Sequence, residues 1–422
     1  MRINIPYGKS EIYLDVPEAN LAGILRRKKE LKAVADTDGE IRRALANPIG
    51  TQKLSELAVG KKTAAIVIVD RSRPVPIEPV AKNVIEELNN CGISDENITI
   101  IAATGMHNAA TREEGIELLG QDIMNRIKFI SNEPDNTEAY YSFGATKQGT
   151  PIEVLKAYCD ADIKISISAI DPHHQAGWSG GAKNILPGIS SRKSVYIHHR
   201  LFRHPTSQLG RLEGNRFREE LEEAASKPGI DFIVNTVHTE EREIAKVFAG
   251  HFITAHREGA KFFAEYVTHK IKPVDILIAN PGGYPRDREF YQTEGKGFTR
   301  VSPAVKQGGI VIMVAECSLG MGEPRWAEAM KCTREEMSEA FKDLDQTFST
   351  PFMKAWRLNR VMEQADIFIV SKGISKIDMP HLPIQFFTEV QEAIDTAIAK
   401  KGKGAEVLVV PDLCGVILEV EE

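Results

Sequence analysis

The segment DIKISISAIDPHHQAGWSGGAKNILPG, residues 162–188, decides the fold. Its first nine residues are a short run rich in isoleucine, bounded by a turn, and predict a strand. The run ends in a turn that carries His173, His174, Ser179, Gly180, Gly181 and Lys183. The same order recurs on the N-terminal side. AAIVIVD (64–70) precedes the helical pattern EPVAKNVIEEL, and NITIIAATG (97–105) precedes one containing REEGIELL. Beyond Pro273 a second series follows, with VDILIANPGG (274–283), GIVIMVAEC (309–317), ADIFIVSKG (365–373) and AEVLVVPD (405–412). Strands alternating with helices predict an α/β protein with largely parallel sheets. The long pattern TAHREGAKFFAEYVTHKI (254–271) predicts a helix closing the first domain. The expected organisation is therefore two α/β domains, residues 1–272 and 273–422, with an active-site cleft between them.

Bulk properties narrow the function. A chain of 422 residues exceeds one ordinary core and fits two domains. With 53 basic against 59 acidic residues the formal charge is −6, and no long run of one sign appears. Nucleic acids and acidic membranes are not expected partners. The start, MRINIPYGKSEIYLDVP, alternates like a strand pair around Gly8 and Lys9 and has no apolar signal core, and no window is long enough to span a bilayer. Five cysteines are scattered without CxxC spacing. Together these predict a cytoplasmic protein with reduced thiols.

Ligands of open α/β sheets collect at the carboxyl ends of the strands. Those ends carry Asp70 and Arg73 in DRSRP, His107 in ATGMH, and His173 and His174 in DPHH. A strand-tip Asp alone is more often a helix cap, and a lone loop histidine more often plain surface. Three convergent ends carry more weight. In SGGAKN the amides of Ser179, Gly180 and Gly181 are expected to open to an anion, with Lys183 on the first turn aimed at the same place. GxxxxGK[ST] spacing is missing, and Arg325 stands where a dinucleotide fingerprint after Gly320 and Gly322 needs its third glycine. A helix from Ser190 carries YIHHRLFRH, where His198 and His199 face different ways. HExxH and zinc-finger spacings are absent. The residues describe acid–base chemistry on an anionic substrate beside a metal or covalent cofactor. They do not choose between those two.

DRSRP, ATGMH, HHQAGWSGGAKNILPG and HHR, with NPGGYPRD and YQ in the second half, resemble in order and spacing the lactate racemase family, which uses a nickel-pincer nucleotide. The resemblance implies that Lys183 attaches that cofactor, a pyridinium dithiocarboxylic acid mononucleotide, through a thioamide, and that His199 ligates nickel. It implies His107 and His173 as the acid–base pair, Arg73 as the residue that polarises the substrate, and Asp70 as its orienting neighbour. Ser179, Gly180 and Gly181 would form the cofactor turn. Tyr291, Gln292, Lys296 and Trp356 would bind substrate, Trp356 being equally compatible with a helix core. The family's Tyr-Gln-x-x-Lys is here YQTEGK, with Lys296 one residue late, which implies a differently shaped pocket. The implied reaction is racemisation or 2-epimerisation of a 2-hydroxy acid by hydride transfer, with a slight preference for a sugar acid. The implied partners are that substrate and cofactor-synthesis proteins. A zinc-dependent hydrolase and a non-catalytic nickel or nucleotide binding protein are the alternatives.

Overall fold

The computed structural model describes residues 1–71, 75–340 and 350–421. The chain divides into two compact units, residues 30–266 and residues 1–29 with 267–422. Both are α/β, with largely parallel sheets.

In the unit 30–266, six strands lie in the order Ile244–Gly250, Phe232–His238, Ile163–Ala169, Ala64–Val69, Ile98–Ala103, Lys128–Ser131. Every neighbour pair is parallel except the first, which is antiparallel. The continuous apolar runs are explained by burial on both faces. Along the strand Ala64–Val69, Ala64, Ile66 and Ile68 join one core cluster, while Ala65 and Val67 join another on the opposite face. The first cluster packs under the helices Thr37–Ala46, Ile77–Asn90 and Arg112–Arg126, and the second under Arg192–His199 and Arg216–Ser226. The three central strands are those that end in Asp70, in the His107 loop and in the His173 turn.

The other unit holds a fully parallel sheet ordered Ile384–Phe387, Ala365–Val370, Val305–Val314, Val274–Ala279, Val407–Val410, Leu21–Ile24. Its last strand corrects the expected cut at residue 272. Leu21–Ile24 pairs with Val407–Val410, and the hairpin Arg2–Tyr7/Ser10–Asp15 buries Ile3, Ile5, Leu14 and Val16 against that sheet. The first 29 residues therefore belong with the C-terminal unit. The hairpin turns at Gly8, at φ +57°, where a Cβ would fall 2.1 Å from a Glu316 carboxylate oxygen. The helix expected over 254–271 ends at Val267, because Thr268–Ile271 pairs in parallel with Ile417–Val420. Among the described residues, no helix is long and apolar enough to cross a membrane.

Candidate active site

Asp70 follows the strand Ala64–Val69 directly, is 7% exposed, and accepts a 2.6 Å hydrogen bond from His107 Nδ1. His107 reaches it from a tight turn after the strand Ile98–Ala103, closed by His107 N donating to the Thr104 carbonyl. With Nδ1–H committed to the carboxylate, a neutral His107 ring carries its lone pair on Nε2. The turn is tied to the lysine segment by Gly105 N donating to the Gly188 carbonyl at 2.9 Å. Arg73 lies outside the described residues.

His173 sits in a two-residue strand, Pro172–His173, paired with Gly177–Trp178. The backbone amides of Gln175 and Ala176 donate to its Nδ1 at 3.2 and 3.1 Å. That places the ring proton on Nε2, 3.3 Å from Lys183 Nζ. His174 stacks on the His173 ring with centroids 4.7 Å apart. The two candidate acid–base histidines are thus held differently, His107 through Nδ1 by a carboxylate and His173 through Nδ1 by two backbone amides.

Lys183 lies on a 3-10 turn, Gly181–Asn184, positioned by groups inside the protein. Asn184 Nδ2 donates to the carbonyls of Ile167 and Val67, tying the turn to two adjacent strand ends. The residues before it are clamped. Arg218, with no exposure, donates to the carbonyls of Ala176, Gly180 and Trp178. His256 donates through Nε2 to the Ser179 carbonyl at 2.7 Å, and Asn235 Oδ1 accepts from Gly181 N at 3.0 Å. Gly180 and Gly181 both have positive φ, and a Cβ on Gly181 would meet the His256 ring at 3.0 Å. These contacts correct the expected anion nest. Ser179 N donates to the Asp171 carbonyl and Gly181 N to Asn235, so two of the three amides are spent within the fold. Ser179 Oγ likewise donates to the Ala169 carbonyl. The turn shapes the approach to Lys183 instead of binding an anion through those two amides.

Sequence reasoning missed Arg218, His256 and Asn235. Asn235 had a signal, a carboxamide in the middle of the apolar strand FIVNTVH. Arg218 had none, since RFREELEEAAS reads as an ordinary amphipathic helix with a wet charged face.

The helix Arg192–His199 begins at Ser191, whose side chain caps it by accepting from Ser194 N. At its other end the two histidines diverge. His198 is fully buried, donates through Nδ1 to Glu220 Oε2 at 2.7 Å, and stacks on Phe217 at 4.0 Å. His199 is half-buried and donates through Nδ1 to the Val195 carbonyl at 2.8 Å, so the lone pair of its ring lies on Nε2. Burial, reinforced by His198 and Lys183, lowers His199 to about 3. A ring kept neutral, with its far nitrogen bonded to a carbonyl, has the donor chemistry of a metal ligand. Among the described residues no group of three or more His, Cys, Asp or Glu side chains could hold a metal ion. A zinc site with three protein ligands has no donor set there.

Tyr291, Gln292, Lys296 and Trp356 form a second group, in the other unit. Tyr291 and Gln292 lie on a short helix, Phe290–Thr293, which widens into a π-helical turn, Glu294–Phe298. In a π turn the residue five positions on takes the place the fourth would have in an α-helix. A π turn takes up one extra residue, which matches the one-residue lateness of Lys296 against the family spacing. The Gln292 carboxamide makes no hydrogen bond among the described residues. Trp356 is half-buried and packs on the core of its unit.

Comparison with known proteins extends over both units. A model of the lactate racemase N-terminal domain matches residues 7–210, and one of the lactate racemase C-terminal domain matches residues 269–418. The chain is 34% identical over 426 residues to a lactate racemase of Thermoanaerobacterium thermosaccharolyticum, covering 99% of each chain. It is 31% identical over 427 residues to a lactate racemase of Lactiplantibacillus plantarum, again covering 99% of each. The solved lactate racemase apoprotein of T. thermosaccharolyticum superposes over 100% of both chains with a TM-score of 0.89 at 31% identity. A Thermotoga maritima protein shares the fold, with a TM-score of 0.64 at 19% identity over 91% of this chain and 98% of that one.

Proposed function

This chain belongs to the lactate racemase family and is an isomerase of the racemase class, and we propose that it interconverts the two configurations at C2 of a 2-hydroxy acid. The observation that supports the reading is that two histidines stand at the ends of different strands of one sheet, His107 with its Nδ1 on the Asp70 carboxylate and His173 with its Nε2 3.3 Å from Lys183 Nζ. Interconverting two hands of one alcohol needs one ring neutral, to take the hydroxyl proton, and the other as imidazolium, to return one, the two exchanging charge states at each turnover. The hydroxyl proton leaves to one ring on the way to a planar 2-keto acid, and the other ring returns a proton on the way out. Asp70 holds the His107 ring in its accepting tautomer and stabilises it once protonated.

Removing C2–H as a proton would place negative charge beside the substrate carboxylate; removing it as hydride avoids that charge. A nickel-pincer nucleotide joined to Lys183 and ligated by His199 would supply the carbon that takes the hydride and returns it to either face. The chain's own part is to orient and to move protons. Lys183 is held by the Arg218, His256 and Asn235 clamp, and His199 presents a neutral nitrogen. Arg73 polarises the C2 oxygen. Gln292 and Lys296 take the substrate carboxylate, with Tyr291 and Trp356 flanking it. Cofactor-synthesis proteins are the partners this scheme requires. The departure of YQTEGK from the family spacing is the ground for a slight preference for a hydroxylated sugar acid over lactate, since a site that hydrogen-bonds hydroxyls rejects substrates lacking them.

The test is a substrate deuterated at C2. Product formed in ordinary water should keep its label, and turnover should slow if hydride transfer limits the rate. Loss of the label to solvent, or uptake of deuterium at C2 from heavy water, would sink the hydride route. Intact mass of protein made with and without the cofactor-synthesis machinery should show an adduct that Lys183→Ala lacks.

A further inference from the structure

The π-helical turn Glu294–Phe298 is braced by buried charge. Glu294 is fully buried, and among the described residues neither carboxylate oxygen accepts a hydrogen bond. Arg357 Nε lies 3.6 Å from it, an ion pair just too long for a hydrogen bond. Lys354 stands on the same helix as Arg357, Thr350–Gln364, and three residues earlier, so both project from one face. Its ammonium donates to the Tyr291 carbonyl and lies 3.3 Å from the centroid of the Tyr291 ring. The close approach depends on Gly295, since a Cβ there would lie 2.8 Å from Lys354 Nζ. Burial, opposed by Glu294, lowers Lys354 to about 8.

A π turn is a strained interruption of a helix and persists only where its surroundings hold it. A buried carboxylate without a hydrogen bond is costly unless cations face it. The two costs are met by the same contacts. We propose that Glu294, Lys354 and Arg357 are positioning residues that hold the π turn open and thereby set the placement of Gln292 and Lys296 toward the substrate. Glu294 draws the turn toward the helix Thr350–Gln364, and Lys354 caps the carbonyl at which the turn widens. Without them the segment relaxes toward an ordinary helix, in which Lys296, five residues on, stands about 140° out of phase with Tyr291.

This inference rests on the reading that Gln292 and Lys296 bind the substrate, and its test has an arm that does not. Hydrogen exchange of the amides of residues 290–301, followed by mass spectrometry, needs neither substrate nor cofactor. Glu294→Gln and Lys354→Met should each speed exchange there by about tenfold or more, with the sheet strands unchanged. Lys354→Arg should restore most of the protection. Unchanged exchange in both variants overturns the proposal. In the holoenzyme, the same two variants should raise KM for the racemised acid by about tenfold and leave kcat within about twofold. Faster exchange with an unchanged KM would mean that the turn is braced as described but does not present substrate groups, which overturns the second half. A wild-type holoenzyme that racemises no 2-hydroxy acid counts against the proposed function, and the exchange result still decides the brace.

Discussion

Replacing Arg218 with Met should loosen the turn that carries Lys183, and the structure gives the size of the effect. The guanidinium donates three hydrogen bonds to the carbonyls of Ala176, Trp178 and Gly180, with Glu222 at 3.8 Å. Charge-assisted bonds of this kind contribute about 1.5–3 kcal/mol each, so the three supply on the order of 4–9 kcal/mol. Opposing them, burial lowers the guanidinium to about 10 from its ordinary 12.5, which corresponds to about 3 kcal/mol. Methionine fills similar space but leaves three buried carbonyls without that donor. The net loss should centre on about 3 kcal/mol. For a folding unit of this size that is a fall of about 6–12 °C in Tm. Thermal unfolding followed by circular dichroism reads it directly, and the adduct on Lys183 should fall in parallel by intact mass. Arg218→Lys should recover only part of both, because an ammonium cannot reproduce the fork. A Tm change under about 2 °C with normal adduct would refute the claim that this one cation clamps the turn.

Asp70→Asn should leave KM near its wild-type value and lower kcat on the order of 10²–10⁴-fold, because the carboxamide no longer enforces the accepting tautomer of His107; steady-state racemisation assays check this. His199→Ala should abolish nickel retention by elemental analysis. His198→Ala should retain nickel but destabilise the fold by about 3 kcal/mol, since it strands Glu220 in the core. His238 is 2% exposed, neither of its ring nitrogens has a hydrogen bond among the described residues, and burial lowers it to about 4. Its folded value lies below its unfolded one, so the stability it permits is complete above pH 6.5 and is lost as pH falls toward 4, by about 3 kcal/mol. His238→Phe should therefore flatten the pH dependence of Tm across that window; an unchanged acid slope would show that His238 is not its source.

Much of this molecule is legible in one dimension because its signals are local. A β-branched run buried on both faces of a parallel sheet reads as continuous apolar sequence, and Ala64–Val69 stands where that reading puts it; Ile163–Ala169 shows instead the alternation of IKISISA. Strand ends follow from strands, so Asp70, His107 and His173 read from sequence as strand-tip residues, while the order that makes those strands neighbours is set by the sheet. Their tautomers could not be read that way, since these depend on which backbone amides and carboxylates meet each ring. Nor could the assignment of residues 1–29 to the C-terminal unit, which rests on Leu21–Ile24 pairing with a strand almost four hundred residues away. Arg218 looks like any charged helix residue until the helix packs and buries it against three carbonyls. The late lysine of YQTEGK is the sharpest case. Spacing alone puts Lys296 one residue late, and only the backbone shows a π turn over Glu294–Phe298 that takes up one extra residue there. Local pattern is set by covalent order and solvent, whereas register, tautomer and buried charge are set by whatever distant part of the chain arrives alongside.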